Sequence, residues 1–367
     1  MFAMHDNRFG TSIATYPSTC YCKMCVSSHP SACTSFSSNA FTINRLKIIL
    51  LYQYEEADIM ATISVFPSPT GTPIANAVAQ AVAGDIVLVH NGTYPEPAVT
   101  ISVSNVKVIA KNEGGAVRDG SNGANAAFVI TADSGVEING FSIQNYTAPS
   151  FGIIVVAGSN HRIVGNAINH TNGVGIALNI GTGHVVWRNK VEHAGSFSGI
   201  YVASSHNWIV QNAVGKNTGS GITIGGSDNA VVGNVVSDNG FLGISITGSN
   251  NNFIYGNTAT LNNMDGIGIA SENPVLLRNL AEKNIGNGII VSVTGANGIL
   301  GGNDLDENTQ AGISLNSNFS SVQFNEMELN QNFGLSISGS KNTAFGNRFT
   351  GNQPTQISIT GLDNNLF

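Results

Sequence analysis

Gly221-Ile222-Thr223-Ile224-Gly225-Gly226-Ser227-Asp228-Asn229-Ala230-Val231-Val232-Gly233-Asn234-Val235-Val236-Ser237-Asp238-Asn239 holds one structural unit. Ile222 and Ile224 alternate onto one face of a short strand, Val231 begins a second strand, and Val236 supplies a third inward position. The same frame recurs along the chain. Gly-Ile, once Gly-Leu, begins at Gly152, Gly175, Gly199, Gly221, Gly243, Gly266, Gly288, Gly312 and Gly334, at steps of 22 to 24 residues. An asparagine series follows it at Asn166, Asn189, Asn212, Asn234, Asn257, Asn279, Asn303, Asn325 and Asn347. A second series lies five residues on, at Asn217, Asn239, Asn262, Asn284, Asn308, Asn330 and Asn352. Three strands of three to five residues plus their turns consume ~22 residues, which is one coil of a parallel β-solenoid with ~4.8 Å between coils. A leucine-rich repeat of similar length needs a Leu-x-x-Leu-x-Leu frame, which this unit lacks.

Repetition also explains an odd composition. Only 10% of the 367 residues are charged, while 43 glycines and 46 asparagines outnumber all acids and bases together. At each corner the chain must turn sharply. Asparagine tolerates the left-handed conformation, and amides stacked coil upon coil can hydrogen-bond along the axis. The first asparagine series is therefore expected to be a structural ladder, and the glycine before isoleucine to ease the turn into the strand. Net charge −7 and a pI near 5.5 argue against nucleic acid as a partner, and no apolar run is long enough to span a membrane.

The pattern resembles the right-handed parallel β-helix of the pectate-lyase-like superfamily. Gly84-Asp85-Ile86-Val87-Leu88-Val89, followed by Asn91-Gly92-Thr93-Tyr94, is similar to that superfamily's first coil, as is Gly135-Val136-Glu137-Ile138-Asn139-Gly140-Phe141-Ser142-Ile143. The resemblance runs from about residue 61 to the C-terminus. It implies an all-β, three-sided solenoid of ~22–23 residues per coil, with eleven or twelve coils. Pro73 to Ala83, with Ile74, Val78 and Val82 at helical spacing, is predicted to be a short amphipathic helix capping the N-terminal end. The superfamily includes polysaccharide lyases, hydrolases, epimerases, adhesins and copper-accessory proteins, so the fold alone does not name an activity.

Residues 1–59 carry no repeat and hold all four cysteines, Cys20, Cys22, Cys25 and Cys33. Their spacing fits no paired Cys-x-x-Cys metal site, and the apolar Leu46–Leu51 run lies too late and is followed by Glu55-Glu56, which makes a poor signal peptide; the expectation is an unstructured leader, with translation starting at Met60. Residues 60–126 are then the cap and first irregular coils, and 127–367 the regular coils. Without an export signal, the protein is expected in the cytoplasm or at the surface by a non-classical route.

Chemistry is sought on outward positions. On the Gly-Ile strands these are Ile154, Ala177, Tyr201, Thr223, Ser245, Gly268, Ile290, Ser314 and Ser336, then Val156, Asn179, Ala203, Gly225, Thr247, Ala270, Ser292, Asn316 and Ser338, without one charge. A lyase needs a base and a cation there, and a hydrolase needs paired carboxylates. Three constellations remain. His161 and His184 occupy equivalent positions, as do His170 and His193, so each pair sits on adjacent coils as a candidate Cu or Zn site or as solvated turn residues. Asp304 and Glu326 stack in one column and Glu282, Asp306 and Glu328 in the next, a solubilising face or a calcium-type oxygen site, with Arg348 nearby. Tyr201, Trp208 and Tyr255 are candidate sugar-stacking aromatics. The reading is a carbohydrate-binding or structural, non-catalytic β-helix. The alternatives are a lyase or epimerase acting on uronate glycans, and a copper-accessory protein. Calcium is the candidate cofactor and polysaccharide the candidate partner. The last coil can pair with another chain.

Overall fold

The computed structural model describes residues 60–147, 150–195, 197–292 and 296–367. The cysteine cluster and the leader lie outside them. The chain winds so that each coil adds one strand to each of three parallel sheets. The Gly-Ile sheet runs from Val99–Ile101 to Thr355–Ile359 and has 12 strands. The second sheet, from Thr62–Val65 to Asn365–Leu366, has 14, and the third, from Gly92–Tyr94 to Arg348–Thr350, has 12. The eleven or twelve coils expected are thus slightly exceeded, because the second sheet gains rungs at both ends.

Register follows the repeat. Ile222 pairs with Ile244 and Ile224 with Ile246, Val231 with Ile254, and Val236 with Ala259. All are buried in one continuous core that runs through the stack. Each such isoleucine or valine contributes ~1.5–3 kcal/mol by leaving water.

The asparagines form the expected ladder of stacked amides, but not at left-handed backbone. None of the ladder residues has positive φ. The left-handed positions are the residues just before them, among them Gly165, Arg188, Gln211, Gly233, Arg278 and Phe324. What selects asparagine is its amide. Asn234 Oδ1 accepts from both the backbone N–H and Nδ2 of Asn212, each at 2.9 Å, while its Nδ2 donates to Ile209 O and Asn257 Oδ1. The same pattern repeats in the second series, as at Asn239 and Asn262. The Gly-Ile glycines are also chosen for space and not for their turn conformation. A Cβ at Gly221 would clash with Val236 and sit 2.8 Å from both Asn239 Nδ2 and Gly243 O.

A third ladder was missed. His161 N–H donates to His184 Nδ1, His184 N–H to Asn207 Oδ1, Asn207 N–H to Asn229 Oδ1 and Asn229 N–H to Asn252 Oδ1. It breaks where Pro274 has no N–H to offer and Gly298 has no side chain to accept one. It resumes with Gly298, Ser320, Asn342 and Asn364.

Helix α1 (Pro73–Gln80) closes the N-terminal end, burying Ile74, Ala77 and Val78. It is shorter than predicted and Val82 is exposed, since Ala81 has already turned to extended backbone. Glu96 accepts the Ile74 and Ala75 N–H groups at 3.1 and 3.0 Å, satisfying donors at the helix start. Fully buried Arg118 stands 3.5 Å from Glu96 and donates to the carbonyls of Tyr94, Glu96, Pro97 and Ala127. Among the described residues no helix is long and apolar enough to cross a membrane.

Candidate functional site

The Gly-Ile sheet keeps its predicted columns, Ile154 against Ala177, Ala177 against Tyr201 and Tyr201 against Thr223. At its N-terminal end, however, the first outward column is covered, while Val156 and Asn179 of the second stay exposed. Ala126, Ile154, Val174 and Ala177 form a second, small buried cluster outside the sheet, with Phe151 and Tyr201 packed on it. Beside that cluster opens a cleft of about 430 Å³, walled by Phe151, Phe197, Val174 and Tyr201 and rimmed by Asn172 and Asn179. Its lining carries no charge. It offers flat apolar rings with amide donors and acceptors at the edge, the chemistry that suits a sugar ring.

The two histidine pairs differ sharply. His161 and His184 are fully buried, with ring centroids 5.2 Å apart. In each, Nδ1 accepts a backbone N–H, from Val136 and His161 respectively, and Nε2 meets the carbonyl of Ala157 or Ile180. Only the neutral, Nε2-protonated ring satisfies both bonds, and burial holds both pKa values below the ordinary range. With both nitrogens engaged, no lone pair is left for a metal. The pair is neither a Cu/Zn site nor a set of solvated turn residues. Imidazole here substitutes for the ladder amide.

His170 and His193 are exposed, left-handed, and stacked 4.7 Å apart with planes 6° from parallel. His193 Nδ1 lies 2.9 Å from Asn169 Oδ1. They border a pocket of about 330 Å³ with Tyr146 and Thr147. A metal sits in the plane of each imidazole that binds it, so parallel rings direct their lone pairs side by side. Among the described residues no third His, Cys or carboxylate joins them within ligand reach. The donor set fits a copper ion only after one ring rotates.

The acid columns stand in the third sheet as read, Asp304 against Glu326 and Glu282 against Asp306 against Glu328. Cations interleave them. Lys283 pairs with Glu282 and lies 3.8 Å from Glu307. Arg348 pairs with Glu326 and lies 3.5 Å from Glu328. Burial, followed by the neighbouring carboxylates, pushes the Asp304 and Asp306 carboxyls up. Asp306 Oδ1 is buried without a hydrogen-bond partner, and oxygens of Glu282, Asp306 and Glu307 all lie within 4.8 Å of one another. Glu307, absent from the column reading because it sits at the corner, thus joins two predicted residues in an oxygen-only set.

Trp208 and Tyr255 stand on the outer face of the second sheet. Trp208 is 56% exposed, and Tyr255 stacks on Phe253 at 5.8 Å. Trp187, in the Tyr255 column, is covered by the Arg188 guanidinium at 4.6 Å and donates from Nε1 to Gln211. Tyr201 therefore lies on a different face from the other two aromatics.

A family model described as "Periplasmic copper-binding protein (NosD)" matches residues 78–265, just over half of the chain. The chain belongs to the NosD family. A second model, "Right handed beta helix region", matches residues 198–367 and agrees with the coil's expected hand. No curated protein sequence matches this NosD-family chain. Among solved structures it is similar to the mannuronan C-5 epimerase AlgE4 A-module of Azotobacter vinelandii, with TM-score 0.68, 14% identity, and coverage of 81% of this chain and 94% of that one. The catalytic unit of a GH87 alpha-1,3-glucanase from Streptomyces thermodiastaticus gives 0.65 at 16% identity, covering 83% and 68%. The Streptococcus pneumoniae surface protein and adhesin PfbA gives 0.60 at 13%, covering 83% and 97%. At these identities the likeness is one of fold, a pectate-lyase-like β-helix.

Proposed function

We propose that this protein is a non-catalytic, polysaccharide-binding β-helix of structural or surface type. The uncharged cleft on the Gly-Ile sheet carries the reading. Phe151, Phe197 and Tyr201 give ring faces to stack on a sugar, and Asn172 and Asn179 give amides for its hydroxyls. Acid–base cleavage of a glycan needs paired ionisable groups beside the scissile bond, and the lining offers the Tyr201 phenol with no carboxylate, histidine, lysine or arginine beside it. A glycan array and a uronate-lyase screen, each with and without Ca²⁺, test the proposal. Binding without turnover, weakened at least tenfold in Tyr201→Ala, is expected. Turnover of any glycan, or equal binding by Tyr201→Ala, refutes it.

A copper-accessory role is the second reading, favoured by the exposed His170–His193 pair and by the name of the family. Ring rotation would let both imidazoles reach one Cu ion. Titration with Cu(I) and Cu(II) is decisive. Affinity unchanged in a His170→Gln, His193→Gln variant removes this pair from the reading.

A further inference from the structure

We propose that a second cleft, at the corner between the second and third sheets, binds an acidic oligosaccharide along the solenoid axis. This rests on the polysaccharide-binding reading and adds a site and a charge class to it. The cleft holds about 520 Å³ between Tyr255 and Arg278 at one end and Gln323 and Phe324 at the other, over a floor of Gly301 and Gly302.

Register sets its length. Tyr255 pairs with Leu277, Leu277 with Gly301 and Gly301 with Gln323, so the walls stand three rungs apart, ~14 Å, about the span of two to three linked pyranose rings. Glycine makes the space. The four preceding rungs of the column carry Val210, Val232, Tyr255 and Leu277 and the next carries Gln323, and Gly301 interrupts that row of side chains. Its neighbour Gly302 takes the left-handed corner without a side chain.

The walls are aromatic and the polar groups are mainly donors. Arg278 Nη1 lies 3.3 Å from the Tyr255 hydroxyl, and among the described residues no carboxylate is within ion-pair distance of its guanidinium. Arg188 also has no carboxylate partner among the described residues, but its guanidinium lies over Trp187 and donates to Gln211, whereas Arg278 meets the Tyr255 hydroxyl. Gln323 adds an amide. Phe324 is 65% exposed and held at φ 54°, a left-handed backbone that a bulky residue adopts at a cost. A cation with free donors, standing between Tyr255 and Phe324 beside the exposed backbone of Gly302, is complementary to a sugar bearing a carboxylate.

The test uses the full chain and isothermal titration with a uronic-acid trisaccharide and its carboxyl-reduced, neutral counterpart. Arg278→Gln keeps the corner, since Gln211 occupies the equivalent position at φ 53°. Gly301→Val places here the residue found at Val210 and Val232; its Cβ would stand 2.9 Å from Leu277 Cδ2 and 3.6 Å from Gln323 Cγ, so it pushes Leu277 outward into the cleft. The wild type should bind the uronate more tightly than the neutral trimer. Arg278→Gln should weaken uronate binding ~10–100-fold, to the neutral level, through loss of a charge-assisted pair. Gly301→Val should remove the binding that this cleft contributes for both trimers, leaving only what the Tyr201 cleft takes, with no loss of thermal stability. If both variants bind like wild type while Tyr201→Ala does not, the polysaccharide reading stands and this cleft is overturned. If the wild type binds neither the trimers nor any arrayed glycan, both proposals fall.

Discussion

Replacing Asn234 by alanine tests whether the ladder, and not only the apolar core, holds the coils together. The side chain is fully buried and makes four hydrogen bonds. Without it, the Asn212 backbone N–H and one hydrogen of Asn212 Nδ2 lose their partner, and the Ile209 carbonyl loses one donor. Asn257 Oδ1 keeps the Asn234 backbone N–H. Each stranded buried group costs ~1–3 kcal/mol, and partial relaxation or an entering water offsets part of the total, so ~3–5 kcal/mol is expected. Asn347→Ala is the internal control. That residue is half-buried near the last rung, where water replaces its partners, so it should cost under ~1 kcal/mol. Solenoids unfold by parts, so urea denaturation is read together with hydrogen exchange. The Asn212 amide should lose protection, while the Val235 amide, bonded to Asn212 O at 2.9 Å, should retain it. A cost for Asn234→Ala below ~0.5 kcal/mol, or equal to that of Asn347→Ala, would show that the ladder follows packing without contributing to it.

Burial depresses the His161 and His184 pKa values, so their contribution is full above the ordinary 6.5 and is lost as pH falls through the depressed folded-state values; a His161→Asn, His184→Asn variant should show a flatter decline in thermal midpoint between pH 8 and 5. Asp304 and Asp306 have raised values, which reverses the sign: the folded state holds their protons more firmly, so their ionisation costs stability as pH rises toward neutrality. Asp306→Asn should therefore raise the midpoint at pH 7, and Ca²⁺ should stabilise the wild type but not an Asp306→Asn, Glu328→Gln variant. Arg118→Met leaves Glu96 buried without its cation and should cost ~3–5 kcal/mol, with early proteolysis near α1; the Arg118→Met, Glu96→Gln double variant should recover part of it, and no recovery would refute the pairing.

Much of the fold was legible because a solenoid imposes one register on every coil. Once Gly221-Ile222 and Gly243-Ile244 are aligned, the pairings of Val231 with Ile254 and of Asp304 with Glu326 follow by counting. The chemical reason for each repeated residue was harder to read. Asparagine at a corner suggests left-handed backbone, yet the turn belongs to the residue before it, and the amide is retained for two donors and an acceptor that reach adjacent rungs. The third ladder was visible at Asn207, Asn229, Asn252, Asn342 and Asn364. It escaped notice because its first rungs are written in histidine, whose imidazole offers the same acceptor and donor in a different residue type. Glu96 and Arg118 lie in the irregular first coils, where no repeat aligns them.

The candidate sites were legible only as columns, and a column says which residues are neighbours without saying what covers them. Reading Ile154 and Ala177 as outward was correct in direction, but both are buried because Phe151 and Tyr201 pack over them, and the same cover walls the cleft. Likewise the two histidine pairs, identical in spacing, part company because one enters a ladder and the other stands in solvent. Deviations from the repeat are therefore where clefts open. Gly301 breaks a row of valine, tyrosine and leucine, and Phe324 occupies a corner where glycine, arginine and glutamine stand on other rungs. Each exception costs the solenoid something, contact area at Gly301 and backbone strain at Phe324. The two fall beside one unpaired arginine. If they served only the fold, reverting both to the consensus of their columns, Gly301→Val and Phe324→Gly, should stabilise the protein and leave glycan binding unchanged. If they form a site, the same reversion raises the thermal midpoint and removes uronate binding together.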